Sequence, residues 1–203
     1  MQIHSDSFEH RQRIPAEFAA GQPAGDGYGF APNRNPHLAW RDVPEGTRSF
    51  VLLCIDPDVP TDASPAQIPA DQPRTDFTHW AMADIPADLR EIAAGSYSDG
   101  VVPHGKAAPK GPAGSRQGLN DYTGWFANDA DMSGDWRGYD GPFPPPHDLR
   151  LHRYFFRLFA LDVARLDVSD RFTAGEALQA MQGHVLGEAS IYGTYSLNPA
   201  VVG

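Results

Sequence analysis

The apolar run RSFVLLCI at 48–55, followed at once by DPDVP at 56–60, constrains this chain more than any other stretch. The run is short and rich in branched and aromatic side chains, which suits a strand buried on both faces. Proline fixes φ and removes a backbone donor, so Pro57 and Pro60 are expected to end the strand and turn the chain. Asp56 and Asp58 are then held on a stiff rim at the end of a core strand. The plain reading is a proline-rich turn with two carboxylates capping backbone amides. A binding site is the alternative, and it requires other polar groups to converge there.

Nineteen prolines and twenty glycines fall between apolar runs rather than in one tract, as expected for many strands joined by irregular loops. With 203 residues, 41% of them hydrophobic and 21% charged, the chain reads as one domain over 1–203 with a substantial core. The formal charge of −10 argues against binding a nucleic-acid backbone and against an electrostatic membrane anchor. The lone cysteine, Cys54, lies inside the apolar run, so a disulfide framework is excluded and a buried thiol is expected. The N-terminal MQIHSDSFEHRQR has no apolar signal core and no run reaches membrane-spanning length, so the expectation is a soluble cytoplasmic protein, monomer or homodimer. No cofactor is expected. GDGYGF at 25–30 lacks the GxGxxG spacing and precedes prolines that forbid a helix, and the Gly/Pro/Lys-rich 95–118 loop contains no GxxxxGK[ST].

Further along, DFTHWAMAD at 76–84 alternates as a strand, and 87–94 suits a helical turn or two. HRYFFRLFALD at 152–162 is the most aromatic strand and suits the interior of a packed sheet. TAGE at 173–176 is a capping box, and helical spacing from Ala174 to Val185 predicts a helix over 174–186, followed by a strand at 189–195. Between them, 123–140 is an acidic segment with Trp125 and Trp136, read as a lid or a dimer contact. Asp129, Asp131, Ser133, Asp135 and Asp140 fall at calcium-loop spacing, although Trp136 and Arg137 depart from the pattern and no helices flank it. An acidic surface loop is the plainer reading.

Asp56, His79 and His152 each lie where an apolar strand starts, ends or is interrupted, with Tyr154 on the same strand face as His152. DPDVP, the His79-Trp80 pair before Asp84-Ile85-Pro86, GPFPPP at 141–146, HRYFFRLFALD and the closing Gly193-Thr194-Tyr195 occur in this order. In that order they resemble the phosphatidylethanolamine-binding protein family, in particular its bacterial Raf kinase inhibitor-like branch. The resemblance spans nearly the whole chain, including Ile14-Pro15 and PHLAW at 36–40. It implies a mainly β fold: two antiparallel sheets in a Greek-key sandwich, with a few short helices. It also implies a small anion pocket lined by Asp56, Asp58, Pro60, Phe77, His79, Gly141, Pro142, His152 and Tyr154. Family members hold phospholipid headgroups, nucleotides or phosphorylated groups there, and some inhibit kinases or proteases. Two departures bear on ligand choice: the longer 123–140 segment, and Pro146-His147-Asp148 at the mouth of the pocket.

An anion beside two carboxylates requires a compensating arrangement. Asp56 is expected to accept from one histidine nitrogen, raising that ring's pKa, while the far nitrogen, the Tyr154 hydroxyl and the amides around Gly141 donate to the ligand. Asp58 is expected to face the donors of its own turn. Non-enzymatic binding of a small phosphorylated or anionic ligand, with a kinase or protease as a partner, is the leading expectation. The competing one is a metal-dependent enzyme using His79, His152 and Asp56. No GxSxG elbow supports a serine hydrolase.

Overall fold

The computed structural model describes residues 1–201. Its frame is a five-stranded antiparallel sheet built from β5 (Ser49–Pro60), β6 (Arg74–Pro86), β8 (Arg116–Gln117), β9 (His152–Leu161) and β10 (Val185–Tyr195), in the order β10-β9-β5-β6-β8. β5 and β6 are consecutive neighbours, whereas β9 returns from far along the chain to the other side of β5, the Greek-key connection. A second sheet, β1 (Gln2–His4), β4 (Leu38–Arg41) and β7 (Glu91–Ile92), is three-stranded. A two-stranded hairpin of β2 (Gly21–Ala24) and β3 (Gly27–Phe30) forms a third, small sheet that the sequence did not announce. Helices are short: α1 (Tyr122–Trp125) and α2 (Ala174–Ala180). None of the described helices is long and apolar enough to cross a membrane.

The central strands read as unbroken apolar runs because each face of the large sheet has its own core. Phe50, Leu52 and Cys54 of β5 join Trp80, Met82, Tyr154, Phe156 and Leu158 against Leu38, Trp40 and Ile92 of the small sheet. Val51, Leu53 and Ile55 face the other way, with Phe159 and Leu161, against Phe172, Ala174, Ala177 and Met181 around α2. A sheet covered on both faces needs hydrophobic residues at successive positions.

Three expectations are corrected. The DPDVP corner does not end β5, which runs on to Pro60. Pairing with β9 stops at Ile55, while pairing with β6 continues through Asp56↔Phe77, Val59↔Thr75 and Pro60↔Arg74, with an extra β5 residue absorbed between Asp56 and Val59. Beyond Ile55 the strand has a partner on one side only, and a proline is tolerated on such an edge or at a bulge. The helix over 174–186 ends at Ala180. Gly183 takes a left-handed φ of 83°, and the chain leaves as β10 from Val185, whose side chain is exposed rather than on a buried helix face. The 87–94 stretch holds no helix; β7 pairs there with β4 and buries Ile92 in the core.

Candidate functional site

Where β9 stops pairing with β5, the ends of β5, β6 and β9 open into a cleft of about 670 Å³. Alternation along β5 and β9 puts Asp56 on the same face as Cys54, and His152 on the same face as Tyr154. On β6, strict alternation would set Phe77 and His79 opposite to Trp80. A bulge prevents this: Cys54 pairs with Trp80 and Ile55 with Thr78, leaving His79 as the extra residue. The bulge re-aims the strand, so that Phe77 and His79 line the cleft that Asp56, Pro60, His152 and Tyr154 also line. The Tyr154 ring lies 5.1 Å from the His79 ring and 6.5 Å from the His152 ring, joining the two imidazoles across the floor.

His152 is wholly buried between two carboxylates. Its Nδ1–H donates to Asp56 Oδ2 at 2.6 Å and its Nε2–H to Asp148 Oδ2 at 3.1 Å. Both nitrogens therefore carry protons. Burial pulls the ring's pKa down, but the hydrogen bonds and charges of Asp148 and Asp56 outweigh it and push the value up to about 9. For Asp148, burial is likewise outweighed, by His152 and Arg74, and its carboxyl is held far below the usual range. Asp56 also accepts the Asp58 N–H at 2.8 Å, closing a turn across Pro57.

His79 behaves in the opposite way. Its Nδ1–H donates to the Asp140 carbonyl at 2.8 Å, which leaves Nε2 as the unpaired nitrogen. Burial lowers its pKa, only partly opposed by Asp56 and Asp140, so the ring is neutral at pH 7. Tyr154 is buried, and burial and the nearby Asp56 charge keep its hydroxyl protonated far into alkali.

Asp58, Gly141 and Pro142 do not line the cleft. Asp58 is not satisfied by its own turn. Its carboxylate takes Arg150 Nε at 2.6 Å and Arg153 Nε at 2.7 Å, and these two arginines outweigh burial to lower its pKa. Gly141 donates its N–H to Asn33 Oδ1 at 2.8 Å, and its carbonyl accepts from the Tyr122 hydroxyl at 2.9 Å. A Cβ at Gly141 would strike the Phe18 carbonyl, so the residue is glycine for close packing. The Pro142 carbonyl accepts from Ala20 and Gly21. The GPFPPP loop therefore offers the cleft no row of amides, because Pro142, Pro144, Pro145 and Pro146 have none to give. The far nitrogen of His152, expected to meet a ligand, is taken by Asp148.

Neither metal reading finds a ligand set. His152 has no lone pair left for a metal beside Asp56 and His79. In the acidic segment, Asp135 is gripped by Arg171 at 2.6 Å, while Asp140 is buried with Lys106 at 2.6 Å, Asn33 and Asn120. Asp129 accepts from the Asp131 amide within its own turn. Among the described residues no three His, Cys, Asp or Glu side chains are placed to hold a metal ion. The two tryptophans part company: Trp125 is 57% exposed on the rim of the cleft, while Trp136 is buried against Tyr122 and Phe126.

Sequence reasoning missed Arg74, Asp148, Arg150 and Arg153, which gather around His152 and Asp58 behind the cleft and do not line it. Arg74 binds Asp148 at 2.6 Å and also holds the Asp58 carbonyl. Around the Asp56–His152 pair, three carboxylates (Asp56, Asp58, Asp148) face four cations (Arg74, Arg150, Arg153, His152). The density of charge in DLRLHR, just before a strand due for burial, was the available signal.

A β-rich protein with a Greek-key sheet and a cleft at its open end, floored by a buried imidazolium–carboxylate pair, is the class that fold and site define. The chain belongs to the phosphatidylethanolamine-binding protein family, whose family model matches residues 4–196. It is 35% identical over 195 residues to a UPF0098 protein of Methanothermobacter thermautotrophicus, covering 96% of this chain and 98% of the relative. It is 31% identical over 196 residues to the UPF0098 protein YbhB of Escherichia coli K12, covering 97% of this chain and 100% of the relative. Among solved structures, CT736 of Chlamydia trachomatis, described as a homologue of the family, matches with a TM-score of 0.67 at 26% identity over 96% of each chain. E. coli YbcL, described as a member of the mammalian family, shares the fold with a TM-score of 0.70 at 24% identity, over 96% of this chain and 97% of its own.

Proposed function

We propose that the cleft binds a small ligand through an oxyanion, a phosphate group foremost, and does not turn it over. The observation that carries this reading is the charge arrangement behind the floor. An acidic protein would repel an anion from a site built on carboxylates alone, but here four cations surround three carboxylates. Four of the charges, His152, Asp56, Asp58 and Asp148, are wholly buried, where fields are screened least. At the floor, His79 supplies an open Nε2, which donates once the ring is protonated, while the Tyr154 hydroxyl bonds to Asp56. Binding without turnover fits a cleft lined by no serine, threonine, cysteine, lysine or arginine among the described residues. His152, with both nitrogens protonated, is no general base.

The pH dependence follows from the two rings. His79 has a lowered pKa, so its donor form is populated only below the ordinary value of about 6.5. Anion affinity is expected to rise as pH falls through that region, and to drop again above about 9 as His152 loses its charge. Sulfate, which does not itself titrate there, isolates the protein's contribution. NMR titrations with sulfate and phosphate at pH 5, 7.5 and 9.5 test this, and an affinity flat across that range refutes it. Incubation with a phosphomonoester is expected to release no phosphate, and catalytic release would refute the binding-only reading.

A further inference from the structure

The Asp140 carboxylate is buried outside the cleft, and distant segments of the chain close on it. One oxygen accepts from the Asn33 amide at 2.8 Å and the Lys106 ammonium at 2.6 Å, the other from the Asn120 amide at 2.8 Å. Lys106 also donates to the Tyr139 carbonyl at 2.8 Å, and its side chain is only 11% exposed. The two amides satisfy a hydrogen bond at each oxygen but bring no charge. The ammonium is what balances a carboxylate removed from water. Burial still raises the Asp140 pKa, against the pull of Lys106 and the two amides.

The same residue grips His79 through its main chain. The Asp140 N–H donates to the His79 carbonyl at 3.0 Å, and the Asp140 carbonyl accepts the His79 Nδ1–H at 2.8 Å. Keeping the proton on Nδ1 leaves Nε2 bare while the ring is neutral, so an anion meets a lone pair there and finds a donor only after protonation. The other ionisable groups about the ring are Asp56, Asp121, Tyr122 and Tyr154, and none of them hydrogen-bonds to it.

We propose that Lys106, which does not line the cleft, is the positioning residue for its anion: the ammonium holds the Asp140 carboxylate, and the Asp140 main chain holds His79 in the tautomer that refuses an anion until the ring is protonated. This rests on the anion reading above and adds what gives the site its pH contrast. Without the ammonium, the 139–141 backbone loses a tether at the carboxylate and at the Tyr139 carbonyl. The Nδ1–H bond then slackens, and the ring gains the Nε2–H tautomer that an unconstrained imidazole favours.

Lys106→Met removes the charge, Lys106→Arg keeps it, and Lys106→Gln serves if the first does not fold. Ring-nitrogen chemical shifts of the histidines at pH 8, without ligand, report the tautomer. The unsubstituted protein is expected to show His79 protonated at Nδ1, Lys106→Met a mixture with Nε2–H, and Lys106→Arg a return to Nδ1. His152, charged at that pH, is expected to stay unchanged in all of them. In sulfate titrations Lys106→Met is expected to bind roughly two- to tenfold more weakly at pH 5.5, the worth of one hydrogen bond held in place, and to show a smaller ratio of affinities between pH 5.5 and 8. A loss of thermal stability with tautomer and affinity ratio unmoved makes Lys106 a structural ion pair and overturns the proposal. No sulfate binding by the unsubstituted protein overturns the anion reading, whereas the ring tautomers, read without ligand, decide the link from Lys106 to His79 by themselves.

Discussion

At the scale of single residues, His152 couples the site to stability. In the unfolded chain its pKa is the ordinary one, about 6.5; folded between Asp56 and Asp148 it is about 9. A raised folded-state pKa means that the stabilisation is complete below pH 6.5 and is lost as pH rises through 9. For a buried ring the full effect is of order 3 kcal/mol. Urea denaturation at pH 6.5 and 9.5 is expected to show that loss, and His152→Asn to abolish this part of the slope. An unchanged slope in the variant would place the titration elsewhere. The substitution itself strands two buried carboxylates, and breaking such an arrangement costs about 3–5 kcal/mol. The pair was half legible beforehand: Asp56 was expected beside an imidazole, but Asp148 on the far nitrogen was not. Nothing in the spacing of two residues four apart outside a helix says that their side chains meet.

At the scale of elements, the termini of strands and helices decide what reaches the cleft. The capping box that opens α2 is complete: the Thr173 hydroxyl accepts the Glu176 N–H, and Glu176 accepts the Thr173 N–H at 2.8 Å. Thr173→Ala is expected to cost about 1 kcal/mol, as loss of a cap does. Because α2 covers the sheet face away from the cleft, ligand affinity should be unchanged. Gly141→Ala is expected to be worse for both. Its Cβ meets a main-chain carbonyl that cannot swing aside, and overpacking of this kind costs about 1–3 kcal/mol. It also displaces the 139–141 backbone, whose Asp140 carbonyl fixes the His79 tautomer. Thermal unfolding together with anion titration of the two variants separates these cases; equal effects on affinity would contradict the assignment. Element types were readable where one rule dominates, as in the capping box and the apolar runs. They were misread where a tertiary partner intervened. β7 is a strand because β4 lies beside it, and β5 passes its prolines because β9 has already left.

At the scale of the whole molecule, the cleft is where β5, β6 and β9 meet the loops that close the sheet, so a ligand there touches segments spread from Tyr28 to Tyr154. A ligand bound only by the folded state raises the unfolding temperature with concentration. Sulfate is therefore expected to raise Tm at pH 5.5, where His79 can carry a proton, and much less at pH 8. Equal shifts at both pH values would assign the effect to general salt action rather than to this site.

The amino-acid sequence by itself determined the β-rich architecture, the two-faced burial of the central strands and the family, because periodicity, proline placement and motif order are local properties of the chain. It also singled out Asp56, His79, His152 and Tyr154, polar groups at the ends and interruptions of apolar strands. Only the tertiary structure decided which of the pocket residues face the cleft. A one-residue bulge at His79 reverses the side to which β6 points, and bulges leave little trace in composition. Tertiary structure also set the protonation of the two imidazoles in opposite senses, since burial lowers a histidine pKa unless carboxylates from distant segments arrive to raise it. That arrival is a matter of folding, which brings Asp148 and Asp56 to the same ring.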